Sequence, residues 1–156
     1  GGDSGRVSAN RTGVRGMNDI VLNKIQSIQR CVRRAREEFA ADPEGFDANF
    51  TRQDAAVLNI LRACEQSIDL ANHVIKTRKL GVPTSSGESF ELLRVEGVID
   101  PGLNDRLQKM VGFRNAVVHH YQRMEIEIVR SVIDSGMDDL VVFGDRVVAY
   151  LGDVTD

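Results

Sequence analysis

Between Met17 and Ala41 the apolar residues fall at Ile25, Ile28, Val32, Ala35 and Phe39. The steps of three, four, three and four describe one face of a helix. Lys24, Arg30, Arg33, Arg34 and Arg36 occupy other faces, and Asp42-Pro43 with Gly45 end the run. A second stripe comprises Val57, Ile60, Leu61, Cys64, Ile68, Ala71 and Ile75. Thr51 is its expected N-cap, with Asp54 three residues on and Phe50 ahead. Lys76, Arg78 and Lys79 suit its carbonyl end, Gly81 its stop, and Pro83 prevents continuation. A polar stripe of Arg62, Glu65, Asp69, Asn72 and His73 runs along the same helix, a pattern that alone signals surface.

Ser85 with Glu88 opens a short helix holding Phe90, Leu92, Leu93 and Val95 and ending near Gly97. Asp100-Pro101 then starts a longer one, with Asp as N-cap and Pro at the first helical position. Its inner face carries Leu103, Leu107, Met110 and Val111, continuing through Phe113, Val117 and Val118 to Tyr121. Ile126, Val129, Val132 and Ile133 predict a further helix stopped by Gly136. A last helix runs from about Asp138 to Leu151, with Leu140, Val141, Val147, Val148 and Leu151 inward. No segment alternates with period two, and a strand at Val141-Val142-Phe143 would lack a partner. The expectation is an all-α, up-and-down helical bundle of four main helices plus short additions.

Residues 1–16 hold five Gly, three Arg and almost no large apolar side chain. They read as a flexible leader or expression tag before a single domain at residues 17–156. The full chain has 156 residues, 42% of them hydrophobic, enough for one domain with its own core. Two cysteines, Cys31 and Cys64, exclude a disulfide scaffold and a cysteine-built zinc site. Both lie in amphipathic runs, as buried thiols of a reducing compartment do, which points to the cytoplasm. No apolar run is long enough to span a membrane.

The formal charge is −3, and setting aside Arg6, Arg11, Arg15 and Asp3 of the leader makes it −5. Such a balance argues against a protein that coats nucleic acid indiscriminately. Locally the sign reverses. From Gly102 to Arg123, Arg106, Lys109, Arg114 and Arg123 face only Asp105, and the Lys24–Arg36 run contains no acid. The first helix reads as a solvated basic face, and the Asp-rich stretch from Asp134 onward is expected to point away.

Residues 112–121 carry the candidate chemistry: Gly-Phe-Arg-Asn-Ala-Val-Val-His-His-Tyr. Arg114 and Tyr121 are two turns apart and share a face; Asn115 and His119 are one turn apart and share the adjoining one. Polar groups gathered on a packing helix must be paired or must serve a function. A histidine can take the proton of a ribose 2′-OH or return one to a leaving oxygen. An arginine can hold the phosphate by two parallel hydrogen bonds. An asparagine can fix either group, and a phenol can stack on a base. His119 and His120 point to different sides of the helix, with no carboxylate four residues from either, so no metal site is expected. A helix–helix contact with satisfied polar groups fits the same spacing.

The Arg114-x4-His119-x-Tyr121 pattern, with Asn115 after the arginine, resembles the signature of HEPN-domain proteins, and most of all the HepT branch of HEPN/MNT toxin–antitoxin systems. The resemblance covers Met17 to about Asp153, including Ile68-Asp69-Leu70-Ala71-Asn72-His73 and the short helix before the motif. It implies a metal-independent endoribonuclease acting on tRNA or mRNA without a cofactor, with Arg114 and His119 as the catalytic pair. It implies AMP modification of Tyr121 by a partner MNT nucleotidyltransferase antitoxin that uses ATP and magnesium. It also implies a homodimer with both motifs lining one cleft. Asn115 and His120 are supporting candidates, His120 being a departure from the family pattern. Two other readings stand beside the ribonuclease. One is a non-catalytic HEPN module binding nucleotide, RNA or a partner protein. The other is a structural dimerisation domain with Arg114 and His119 paired and inaccessible.

Overall fold

The computed structural model describes the backbone of residues 2–120 and 124–155 and the side chains of 19–120 and 124–152. Six α-helices follow in chain order: α1 (Gly2–Ala41), α2 (Phe50–Arg78), α3 (Ser86–Glu96), α4 (Pro101–His120), α5 (Ile126–Ser131) and α6 (Met137–Thr155). A short 3-10 turn at Phe46–Ala48 precedes α2, and a π turn at Val132–Gly136 joins α5 to α6. No strand occurs among the described residues, and the chain is an all-α bundle. No helix of the described residues is long and apolar enough to cross a membrane.

α1 and α2 are antiparallel. Lys24 pairs with Asp69 near one end and Glu38 with Arg52 near the other. Between these pairs Ile25, Ile28, Val32 and Ala35 interlock with Ile60, Ala63, Cys64 and Ala71 in the buried core. The helix bounds reach ahead of Met17, where the sequence reading started this element. α4 crosses α2 on its other flank, with Cys64 Sγ 4.0 Å from the Met110 carbonyl. α6 closes the bundle, placing Phe143 edge-on to Phe90 of α3 with ring centroids 5.2 Å apart. Both rings are fully buried.

Helix ends follow local chemistry, with three departures from the sequence reading. Ser85 accepts from the Glu88 N–H and Asp100 from the Leu103 N–H, as their spacing predicts. α2 begins earlier than expected: Asn49, not Thr51, caps it by accepting from the Arg52 N–H at 3.1 Å. α2 also ends earlier. Lys79 takes the left-handed conformation (φ 56°) that Gly81 was expected to supply, and Leu80 N–H donates back to the Ile75 carbonyl. Gly136 does not stop a helix but sits in the π turn. A Cβ there would lie 2.9 Å from Met110 Sδ, so its role is close approach to α4.

The buried stripes match the periodicity on α1 and α2 and differ at the ends of later helices. Val95, Val118 and Val148 are exposed, whereas Phe143 is fully buried. Cys31 and Cys64 are buried free thiols. The Asp-rich stretch does not simply face away: Asp138 accepts from Arg36 at 2.6 Å and Asp139 from Arg106 at 2.8 Å. It neutralises two of the cations counted above.

Candidate active site

α4 presents the motif on three flanks. On the first, Arg114 turns inward toward α2 and α3, with its side chain 21% exposed. Its Nη2 donates to Ser86 Oγ at 2.5 Å, and its Nε lies 3.1 Å from Glu65 Oε1. Nε has no aligned hydrogen-bond acceptor, so the Glu65 contact is electrostatic rather than a directed bond. Behind this flank lies Cys64. Burial pushes its thiol up to about 12, the Glu65 charge adds to the shift, and Arg114 partly opposes it. The thiol therefore stays protonated and inert.

On the second flank Asn115 and His119 are exposed. On the third, His120 is exposed as well, its ring centroid 6.3 Å from that of His119 with the planes tilted by 55°. Arg114 and His119 are five positions apart, roughly 140° of helical rotation. One α4 helix thus holds an anchored cation and a solvent-facing imidazole on different sides. The two are neither paired nor jointly buried, which goes against the structural-only reading. Tyr121 lies outside the described residues. The third histidine, His73, is remote on the α1 side of α2; burial, then Lys24 and Lys76, hold it below its ordinary range.

The sequence reading placed all the motif residues at a packing face. Of the described motif residues, only Arg114 is there. Asn115, His119 and His120 meet solvent, while Val117 between them faces the core. Glu65 was visible as part of a polar stripe, and its partner Arg114 as part of the motif, but not that they meet. Ser86 carried no signal beyond a helix start. Asn72, on the same stripe, accepts from the buried Ser89 hydroxyl at 2.6 Å and fixes α3 against α2. The stripe is therefore an inter-helix seam as well as a surface.

Residues 28–147 match a family model described as HepT-like, Ribonuclease HepT-like. The chain belongs to this family. It is 43% identical over 133 residues to the mRNA nuclease HepT of Shewanella oneidensis, covering 85% of this chain and 99% of that one. A tri-AMPylated Shewanella oneidensis HEPN toxin solved in complex with an MNT antitoxin superimposes with a TM-score of 0.79 at 42% identity. That match covers 84% of this chain and 98% of the other. A putative RNase of Archaeoglobus fulgidus is 32% identical over 89 residues, 57% of this chain and 67% of its own length.

Proposed function

We propose that this HepT-like chain is the toxin of a toxin–antitoxin pair, a metal-independent endoribonuclease that cleaves mRNA or tRNA in the cytoplasm. One observation carries the reading: near full-length similarity to an mRNA nuclease, joined to an anchored arginine and a solvent-facing histidine on one helix. In the reaction His119 takes the proton of a ribose 2′-OH. The 2′-oxygen then attacks the adjacent phosphorus, and the 5′-oxygen leaves with a proton supplied by a general acid. The products are a 2′,3′-cyclic phosphate and a 5′-hydroxyl. Arg114 stabilises charge on the phosphoryl oxygens, Asn115 orients phosphate or imidazole, and His120 flanks the site.

A homodimer supplies the second proton-transfer group. A two-fold axis beside α4 sets the second copy's Arg114 and His119 opposite the first pair. Exposed Val118, next to this flank, and Leu58 of α2 give such an interface apolar surface. The antitoxin is an MNT-type nucleotidyltransferase. The Tyr121 phenol attacks the α-phosphorus of ATP, pyrophosphate leaves, and the phenolic proton passes to solvent. The attached AMP then blocks the cleft by bulk and by negative charge. Residues 17–156 suffice for activity, and the leader does not contribute.

The test is cleavage of labelled mRNA and tRNA by purified protein in EDTA. Wild-type cleavage with cyclic-phosphate ends, lost in His119→Ala, is the expected result. Equal cleavage by His119→Ala, or none by wild type while RNA still binds, replaces the ribonuclease with the binding module.

A further inference from the structure

One feature of the molecule that the motif leaves unused is an open cavity of about 550 Å³ between α4 and the α5–π-turn segment. Its size falls in the range of small-ligand sites, roughly 300–1,000 Å³. Met110, Phe113, Met124, Ile128 and Val132 make its apolar walls. Ser131 and Ser135 bring hydroxyls to it, and the π turn with Gly136 forms one side. π turns mark places where regular helix gives way to a shaped site.

The rim is charged unequally. Arg106 and Asp139 both line the cavity and cancel each other through their 2.8 Å ion pair. Lys109 also lines it, is exposed, and has no hydrogen-bond or ion-pair partner among the described residues. The site therefore combines an apolar interior that includes the Phe113 ring with one cation that has no partner among the described residues. That combination fits a planar group carrying a single anionic linkage.

Position links this cavity to the motif. Lys109, Phe113, Ala116 and His120 follow one another at steps of four, three and four, a single stripe along α4. The first three line the cavity and the fourth is the exposed histidine beside His119. Ala116 lies only four residues, about 6 Å along the axis, from His120. We propose that this cavity is a base-binding subsite. It takes an unstacked base of the single-stranded RNA next to the cleaved bond, with a neighbouring phosphate on Lys109. Splayed bases packed on apolar and aromatic walls are the usual means of reading single-stranded RNA. The subsite gives the enzyme a sequence or loop preference that Arg114 and His119, which touch only the backbone, cannot supply. The inference rests on the ribonuclease reading for its substrate, not for its geometry.

The experiment uses the full chain with methyl-labelled methionine, titrated with uncleavable 2′-O-methyl tetranucleotides of each base. Saturating shifts of the Met110 and Met124 methyls are expected, with one base preferred. Ala116→Leu, which fills the cavity, abolishes them. Lys109→Met, an exposed change with no risk to folding, weakens binding about tenfold. In parallel, Ala116→Leu cleaves RNA slowly and becomes indifferent to an abasic substitution at the subsite position. Absence of Met110 and Met124 shifts with every oligonucleotide overturns the proposal, as do shifts unchanged in both variants. RNA binding intact in both variants with a lost antitoxin complex also overturns it, making the cavity a protein-docking site. Because the methyl shifts need no turnover, RNA that binds here without being cut defeats the ribonuclease reading and leaves the subsite standing.

Discussion

The Arg114 and His119 flanks of α4 differ in how much of their geometry the fold supplies. Arg114 is held by Ser86 of α3 and by Glu65 of α2, over a sealed thiol. His119, five residues further, has solvent in front of it. Under the proposed roles, the charge-stabilising half of the pair is set before substrate arrives, and the proton-transferring half is left open to solvent. Preorganised charge costs no rearrangement during reaction.

The contrast can be broken experimentally, beginning with its largest expected effect. His119→Ala should lower RNA cleavage by about 10²–10⁴-fold with an unchanged melting temperature, because an exposed side chain supports no packing. A marked drop in melting temperature would show that His119 is structural after all. Arg114→Ala should cost about 10²–10³ in cleavage and, unlike His119→Ala, also lower thermal stability, since Glu65 and Ser86 lose their partner. Arg114→Lys should recover stability better than activity, because an ammonium cannot hold phosphate by two parallel bonds.

Smaller effects sharpen the comparison. Ser86→Ala should slow cleavage about tenfold, from the ~1.5 kcal/mol of a hydrogen bond to a charged group. Its change should appear in kcat with KM little altered, as expected for a positioning residue. Glu65→Gln should change cleavage by no more than about fivefold, because half-exposed ion pairs contribute ~0–1 kcal/mol. A larger loss would mean that Glu65 contacts substrate. Last, Cys64, held protonated by burial with its thiol near 12, should resist maleimide labelling in the folded protein at pH 8 and react only on unfolding. Fast labelling of the native chain would show that the Arg114 flank opens.

The legibility of the chain varied along its length in the same way as its burial. α1 and α2 could be read closely because a long helix with one covered face repeats its signal over many turns. Caps at Ser85 and Asp100 were legible because they act over three residues. The α2 ends were not. Thr51 and Asn49 are both good capping residues, and choosing between them depends on where the preceding 3-10 turn delivers the chain. At the other end, Lys79 takes the left-handed position because Leu80 must fold back to reach the Ile75 carbonyl. Gly136 reads as a stop in any single sequence; only the nearness of Met110 reveals it as a point of close contact.

The amino-acid sequence alone determined the helical class, the main buried stripes and the presence of Arg114, Asn115, His119 and His120 on one helix. Those features are local, set by the 3.6-residue period and by residue type. It also pointed to the HepT-like family, through a motif whose spacing is local too. Tertiary structure alone decided that Arg114 meets Glu65 and Ser86, that His119 is exposed, and that Asp138 and Asp139 return to cancel Arg36 and Arg106. It also opened the cavity along the Lys109–His120 stripe. These are contacts between residues 28 to 102 positions apart. Their pairing depends on how helices cross, which no short spacing encodes.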